Sequence, residues 1–131
     1  MILMKDLIQE LRDYLENPVL EIVPGPDDPD TSERFIKLTR TGGVGLDLDD
    51  LFDRVDIAVE VAGAQGDYDD AESLAFEVDR FFLRHEMGRM SGARLLSFTR
   101  GGGPSALRVD DAQRHHFVCS YTAHVQSALT A

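Results

Sequence analysis

A single cysteine, Cys119, is all the thiol chemistry that the 131 residues hold. That excludes an intramolecular disulfide framework and fits a chain folding in a reducing compartment. No apolar run exceeds a few residues, so no segment reads as a membrane span. The opening residues, MILMKDLIQELRDYLEN, lack a basic start, a long apolar stretch and a small-residue cleavage site, and so do not read as a signal peptide. Basic charge is scarce. Thirteen Lys and Arg stand against 24 Asp and Glu, a formal net of −11, which argues against a protein whose main task is gripping nucleic acid. No repeat of 20–50 residues and no low-complexity linker divides the chain. What remains is ordinary globular usage, 43% apolar and 28% charged, enough for one domain over residues 1–131 that buries about two-thirds of its surface.

The charge is uneven. Residues 1–70 hold 18 acidic and six basic side chains, a net of −12, whereas residues 71–131 hold six and seven, a net of +1. An acidic surface can serve solubility alone. Alternatively, two faces of unlike potential meet across subunits or repel a polyanion.

Periodicity gives the order of elements. Leu3, Leu7, Ile8, Leu11, Tyr14 and Leu15 recur at helical spacing, and Asn17-Pro18 ends that amphipathic helix. Val19 to Val23 is a short strand or an extended connection. PGPDDPD then marks a surface loop. Arg34 to Arg40 alternates as a strand, and a Gly- and Asp-rich loop runs from Thr41 to Asp53. Val55, Ile57, Val59 and Val61 alternate with polar residues in the clearest half-buried strand. Asp69 or Asp70 is the expected N-cap of a second helix. Its stripe runs Ala71, Leu74, Ala75, Val78, Phe81, Phe82 to His85, with His85 as a C-terminal cap or edge residue. Ala93 to Thr99 reads as a strand, Arg100 to Gln113 as a loop, and Arg114 to Val125 as a long strand with Phe117, Cys119, Tyr121, Ala123 and Val125 on one face. Residues 126–131 are expected to fray. With too few helices for a parallel α/β sheet, the expected class is α+β: an antiparallel or mixed sheet of about four main strands with two helices on one face.

Chemistry is harder to find. Gly101-Gly102-Gly103-Pro104-Ser105 has no lysine and no following helix, so it reads as an inter-strand turn and not a phosphate cradle. His115 and His116 are adjacent in a strand and point to opposite faces, and His116 and His124 are too far apart for one metal site. Cys119 alternates with core aromatics and reads as a small buried hydrophobe. Asp47, Asp49 and Asp50 lack the spacing of a calcium loop. No catalytic, cofactor-binding or metal-binding set is expected, which points away from an enzyme.

The succession of an amphipathic helix, a strand ending RTGG (Arg40 to Gly43), the strand DRVDIAVEV (Asp53 to Val61), a helix opening DDAESLA (Asp69 to Ala75), the GGP of Gly102 to Pro104 and the closing strand RHHFVCSYTAHV resembles the tail terminator proteins of long-tailed bacteriophages, particularly those of actinobacterial hosts, often labelled minor capsid or tail completion proteins. The likeness spans residues 3–126. It rests on element order, length and Gly/Pro signals and not on a catalytic string. It implies a ring of six copies at the head-proximal end of the virion's tail, assembled in the host cytoplasm. That ring would stop growth of the tail tube protein and offer the surface to which the head connector docks.

On this reading, unlike patches meet head to tail around the ring. The expected contact arms are the loops around residues 27–30, 41–53 and 100–112; the expected contact residues are Asp27, Asp28 and Asp30, then Arg40, Asp47, Asp49 and Asp50, with Arg80, Arg84, Arg94, Arg100 and Arg108 as basic partners. DNA would pass through the ring without specific binding. Six copies at −11 carry a formal −66, and an acidic lining with Asp56 and Glu60 would repel the duplex where a basic one would hold it. A head-completion or stopper protein of the same neck, or a small acidic bacterial binding module, are the alternatives.

Overall fold

A computed structural model describes residues 4–17, 19–31, 33–42, 52–84, 89–90 and 93–126. The chain runs α1 (Met4–Leu15), β1 (Glu21–Pro24), β2 (Phe35–Gly42), β3 (Phe52–Gln65), α2 (Tyr68–Arg84), β4 (Arg89–Met90), β5 (Ala93–Val109) and β6 (Arg114–Gln126). The six strands among the described residues form one sheet in the order β1-β2-β3-β6-β5-β4. β1 lies parallel to β2, and every other pair is antiparallel. The class is α+β with a mixed sheet, as the periodicity predicts, but with two more strands than the expected four: the short β1 edge and the two-residue β4.

Strand alternation decides where the core lies. Val55, Ile57, Val59 and Val61 of β3 align with Tyr121, Cys119 and Phe117 of β6 and with Ile36 and Leu38 of β2. All point to the side where α1 contributes Leu7, Ile8 and Leu11, and α2 contributes Ala71, Leu74, Ala75, Val78, Phe81 and Phe82. Both helices therefore cover one face of the sheet. Phe82 stacks on Tyr121 at 4.1 Å between ring centroids, and Phe81 meets Tyr14 of α1 edge-on at 5.4 Å. Gly63 lets β3 approach the start of α2: a Cβ there would lie 2.6 Å from the Ala71 backbone nitrogen.

Two boundaries differ from expectation. The N-cap of α2 is Asp67, whose Oδ1 accepts the Asp70 N–H at 3.0 Å. Asp70 sits one turn in and reaches back to accept the Ala64 N–H at 2.7 Å. Three aspartates within four residues made the cap ambiguous, and the choice falls on the one preceding the first helical φ/ψ pair.

The second difference is larger. The expected loop from Arg100 is strand almost throughout, since β5 continues to Val109 and leaves only Asp110–Gln113 to turn. The long β6 needs its backbone groups paired. The glycine run supplies the slack as register shifts at Arg100/Gly102 and Gly102/Ser105. Gly103 takes φ 84°, and a side chain there would collide with the Val118 carbonyl. The His85 cap, the Gly/Asp loop from residue 43 to residue 51, the side chain of Val125 and residues 127–131 lie outside the described residues.

Candidate functional site

The face of the sheet opposite the helices carries polar side chains, and the loop between β1 and β2 folds across it. Gly25 N–H donates to the Leu38 carbonyl at 2.7 Å, which starts the loop along β2. Asp28 then accepts from Lys37 of β2 at 2.6 Å and from Arg108 of β5 at 3.0 Å. Beneath it, Glu60 of β3 accepts from Arg108 at 3.0 Å and lies 3.8 Å from the Lys37 ammonium. The desolvation of Asp28 works against ionisation. The hydrogen bonds and charges of Lys37 and Arg108 outweigh it, and the carboxyl ends below its ordinary value.

His116 is the centre of this face, with its side chain fully buried. Nδ1 is 2.6 Å from Glu60 and Nε2 is 2.6 Å from Asp110. Carboxylate oxygens only accept, so a proton on each ring nitrogen satisfies both contacts. Asp110 also accepts from Arg114 Nε at 2.7 Å and from the backbone N–H groups of Ala112 and Arg114 at 2.9 and 3.0 Å. Burial alone would raise the Asp110 carboxyl, but the bonds from His116 and Arg114 hold it far below the usual carboxylate range. Arg114 in turn donates to the carbonyls of Thr31 and Glu33, both at 2.8 Å, and its guanidinium lies 4.9 Å over the Phe35 ring. Three carboxylates, three cations and one histidine thus bind the loop, β2, β3, β5 and β6 to one another.

A second pairing anchors β5 to α2. Asp79, nearly buried, accepts from Arg100 at 2.9 Å and from the Tyr121 hydroxyl at 2.7 Å. Desolvation first, then that bond to Asp79, pushes the Tyr121 hydroxyl far above its ordinary value. Cys119 is buried in the core beside it, and its thiol is likewise pushed up by burial.

The expected contact residues fall into three groups. Asp27, Asp30, Arg40, Arg80 and Arg84 are exposed. Asp28, Arg100 and Arg108 are engaged within one chain, and Asp28 and Arg108, expected to meet partners on other copies, pair with each other. Asp47, Asp49 and Asp50 lie outside the described residues, as does the side chain of Arg94. Asp56 and Glu60 do face away from the core. However, Glu60 is matched by cations, whereas Asp56 accepts from the neutral Thr122 hydroxyl at 2.9 Å and lies 3.9 Å from the Arg54 guanidinium. The burial of His116 and Asp79 was not anticipated from the sequence. Each is a titratable residue at a position whose alternation or helical spacing borders the core, and that is the signal available.

Around these pairs the surface is shallow. One depression of about 210 Å³ lies beside Tyr68, Leu107, His115 and Phe117, and another of about 380 Å³ is lined by Asp28, Arg108, Asp110 and Arg114. Among the described residues no group of three or more His, Cys, Asp or Glu could hold a metal ion, and no helix is long and apolar enough to cross a membrane. The two ends of the sheet draw on unlike parts of the chain. Strand order puts α1 and β1–β3, from the acidic half of the chain, at one end, and β6, β5 and β4 at the other. No protein-family model matches the chain, and no curated protein matches it.

Proposed function

We propose that the chain is a tail terminator of a long-tailed bacteriophage, a geometric part that acts without catalysis. Six copies close into a ring on the head-proximal end of the tail tube, stop its growth and present the surface on which the head connector docks. The observation that carries this reading is the division of charge along the sheet. A closed ring needs a head-to-tail contact in which one patch meets a different patch on the next copy. A chain whose β1 edge comes from its acidic half and whose β4 edge comes from its near-neutral half has two unlike edges to offer such a contact.

The internal ion pairs add support. The polar side chains that a reaction cleft would expose are consumed in tying the loop and strands together, which gives a stiff unit suited to fixed geometry. DNA passes through the lumen without specific binding. Since Glu60 is charge-matched, any acidic lining depends on Asp56 and on carboxylates other than Glu60.

The test is to add the purified chain to polymerising tail tube protein and view the products by electron microscopy. Tubes halted at one end under a six-fold cap are expected. Tubes that grow unchanged overturn the reading, and a ring found only on the portal side of the neck reassigns the chain to a head-completion or stopper role.

A further inference from the structure

A free sheet edge and an apolar hollow meet where β5 turns into β6. The outer side of β5 is covered only by the two-residue β4, opposite Ala93 and Arg94. From there to Val109 its outer backbone groups face no strand among the described residues. Pro104 has no N–H, and the register shifts on either side of Gly102 break the row. The stretch left open to a further strand is therefore Ser105–Val109. Within it Ala106 pairs with Phe117 and Arg108 with His116, so Leu107 is the extra residue of a bulge. Leu107 is 48% exposed, Val109 50% and Tyr68, at the start of α2, 43%. With His115 and Phe117 they line the hollow of about 210 Å³. Tyr68 meets both of those rings edge-on at 5.3 Å.

The carboxylates around this hollow are unmatched. Asp67 and Asp69 flank Tyr68, and Glu72 lies one helical turn further on the same side of α2. Asp111 sits in the turn after Val109, and the Gly66 N–H donates to the Gln113 carbonyl at 2.7 Å, which holds that turn against the start of α2. The neighbouring guanidinium groups are engaged elsewhere: Arg108 with Asp28 and Glu60 across the sheet, Arg114 with Asp110, and Arg34 with Asp70.

We propose that an extended segment of another protein, apolar at alternate positions with Lys or Arg between them, adds to the Ser105–Val109 edge of β5 and seats an apolar side chain in the hollow. The edge selects an extended backbone, because a strand alone returns hydrogen bonds along its length. The rim of Asp67, Asp69, Glu72 and Asp111 selects basic residues beside the apolar ones. A second copy meets neither condition. Its other free edge is β1, Glu21–Pro24, whose one charged residue is Glu21. Pairing β5 with β5 sets the same carboxylates of two copies against each other. This contact does not depend on the ring described above.

The experiment titrates short blocked peptides into the isotope-labelled full chain and follows its backbone amide resonances. A peptide alternating Lys with Leu is expected to bind at least about tenfold tighter than one alternating Glu with Leu or Lys with Ser. The shifts should centre on residues 67–72, 105–109 and 115–117, and the amides of 105–109 should gain protection from hydrogen exchange. The Lys–Leu peptide methylated on its backbone nitrogens should lose its affinity, since it has no N–H to pair. Leu107→Ser, or Asp69→Lys with Asp111→Lys, should weaken binding by about tenfold or more. Unchanged thermal unfolding of these variants shows that folding is intact.

Failure of the Lys–Leu peptide to bind, equal binding of all three peptides, or shifts centred elsewhere overturns the proposal. So does binding that is indifferent to backbone methylation or to the charge reversal. Self-association of the chain in sedimentation, abolished by Leu107→Ser, also overturns it and gives the hollow to a second copy.

Discussion

At the scale of single residues, burial converts ordinary charges into structural ties. His116 has no access to water, and two carboxylates hold its ring from opposite ends. Asp110 accepts four hydrogen bonds from His116, Arg114 and the turn backbone. Removing one member of such a group leaves the others buried and unmatched, which costs more than the bonds themselves. Asp110→Ala is therefore expected to lose about 3–5 kcal/mol in urea unfolding. Tyr121→Phe, which removes one buried hydroxyl from Asp79 but leaves Arg100 in place, should lose about 1–2 kcal/mol. The pH dependence has a definite sign. Asp110 and Asp28 both have folded pKa values lowered below the unfolded value of about 3.9. Their contribution is complete above that value and is lost as pH falls through it toward the folded values. Urea midpoints measured in acid should fall below about pH 4, and Asp110→Ala should flatten that fall. The alternation of β6 made it legible that His115 and His116 point to opposite faces. That His116 is buried was not legible, because the face it occupies is covered by a loop of prolines and aspartates with no periodic signal of its own.

At the scale of elements, the two helices and the strands β2, β3 and β6 were readable because each carries a period that matches its buried face. Leu7, Ile8 and Leu11 follow the helical spacing, and Val55 to Val61 follow the strand spacing. β5 was not readable past Thr99. Gly101, Gly102, Gly103 and Pro104 have the composition of a loop, and their pairing comes from β6, which lies beside them and demands partners along its length. Tertiary pairing overrode local preference there. Local chemistry still leaves testable marks. Asp67 caps α2, so Asp67→Ala should cost about 1 kcal/mol in thermal or urea unfolding. Gly63 is the point where β3 meets α2, and Ala71 is its neighbour. Gly63→Val forces that helix off the sheet and should cost about 1–3 kcal/mol, as overpacking does.

At the scale of the whole molecule, the charge division was legible from counting alone, but its meaning came from strand order. Had β1–β3 interleaved with β4–β6, the acidic and near-neutral halves would have mixed and no flank would differ from another. The order β1-β2-β3-β6-β5-β4 keeps them apart. The sequence suggested Asp28 and Arg108 as partners between copies, and folding spends both inside one chain. Charge counted along a sequence overstates what a surface can offer, because pairs distant in sequence cancel. What remains for association is the exposed remainder, such as Asp27, Asp30, Arg80 and Arg84. Contacts of that kind are screened. Raising salt from about 0.01 M to about 1 M shortens the Debye length from ~30 Å to ~3 Å. The fraction of tubes capped in electron micrographs should therefore fall steadily over that range. The buried His116 cluster is shielded from the same ions and should keep the monomer's unfolding midpoint nearly constant. Capping that instead strengthened with salt would identify apolar burial as the driving contact, with the unlike charges serving only to choose the register.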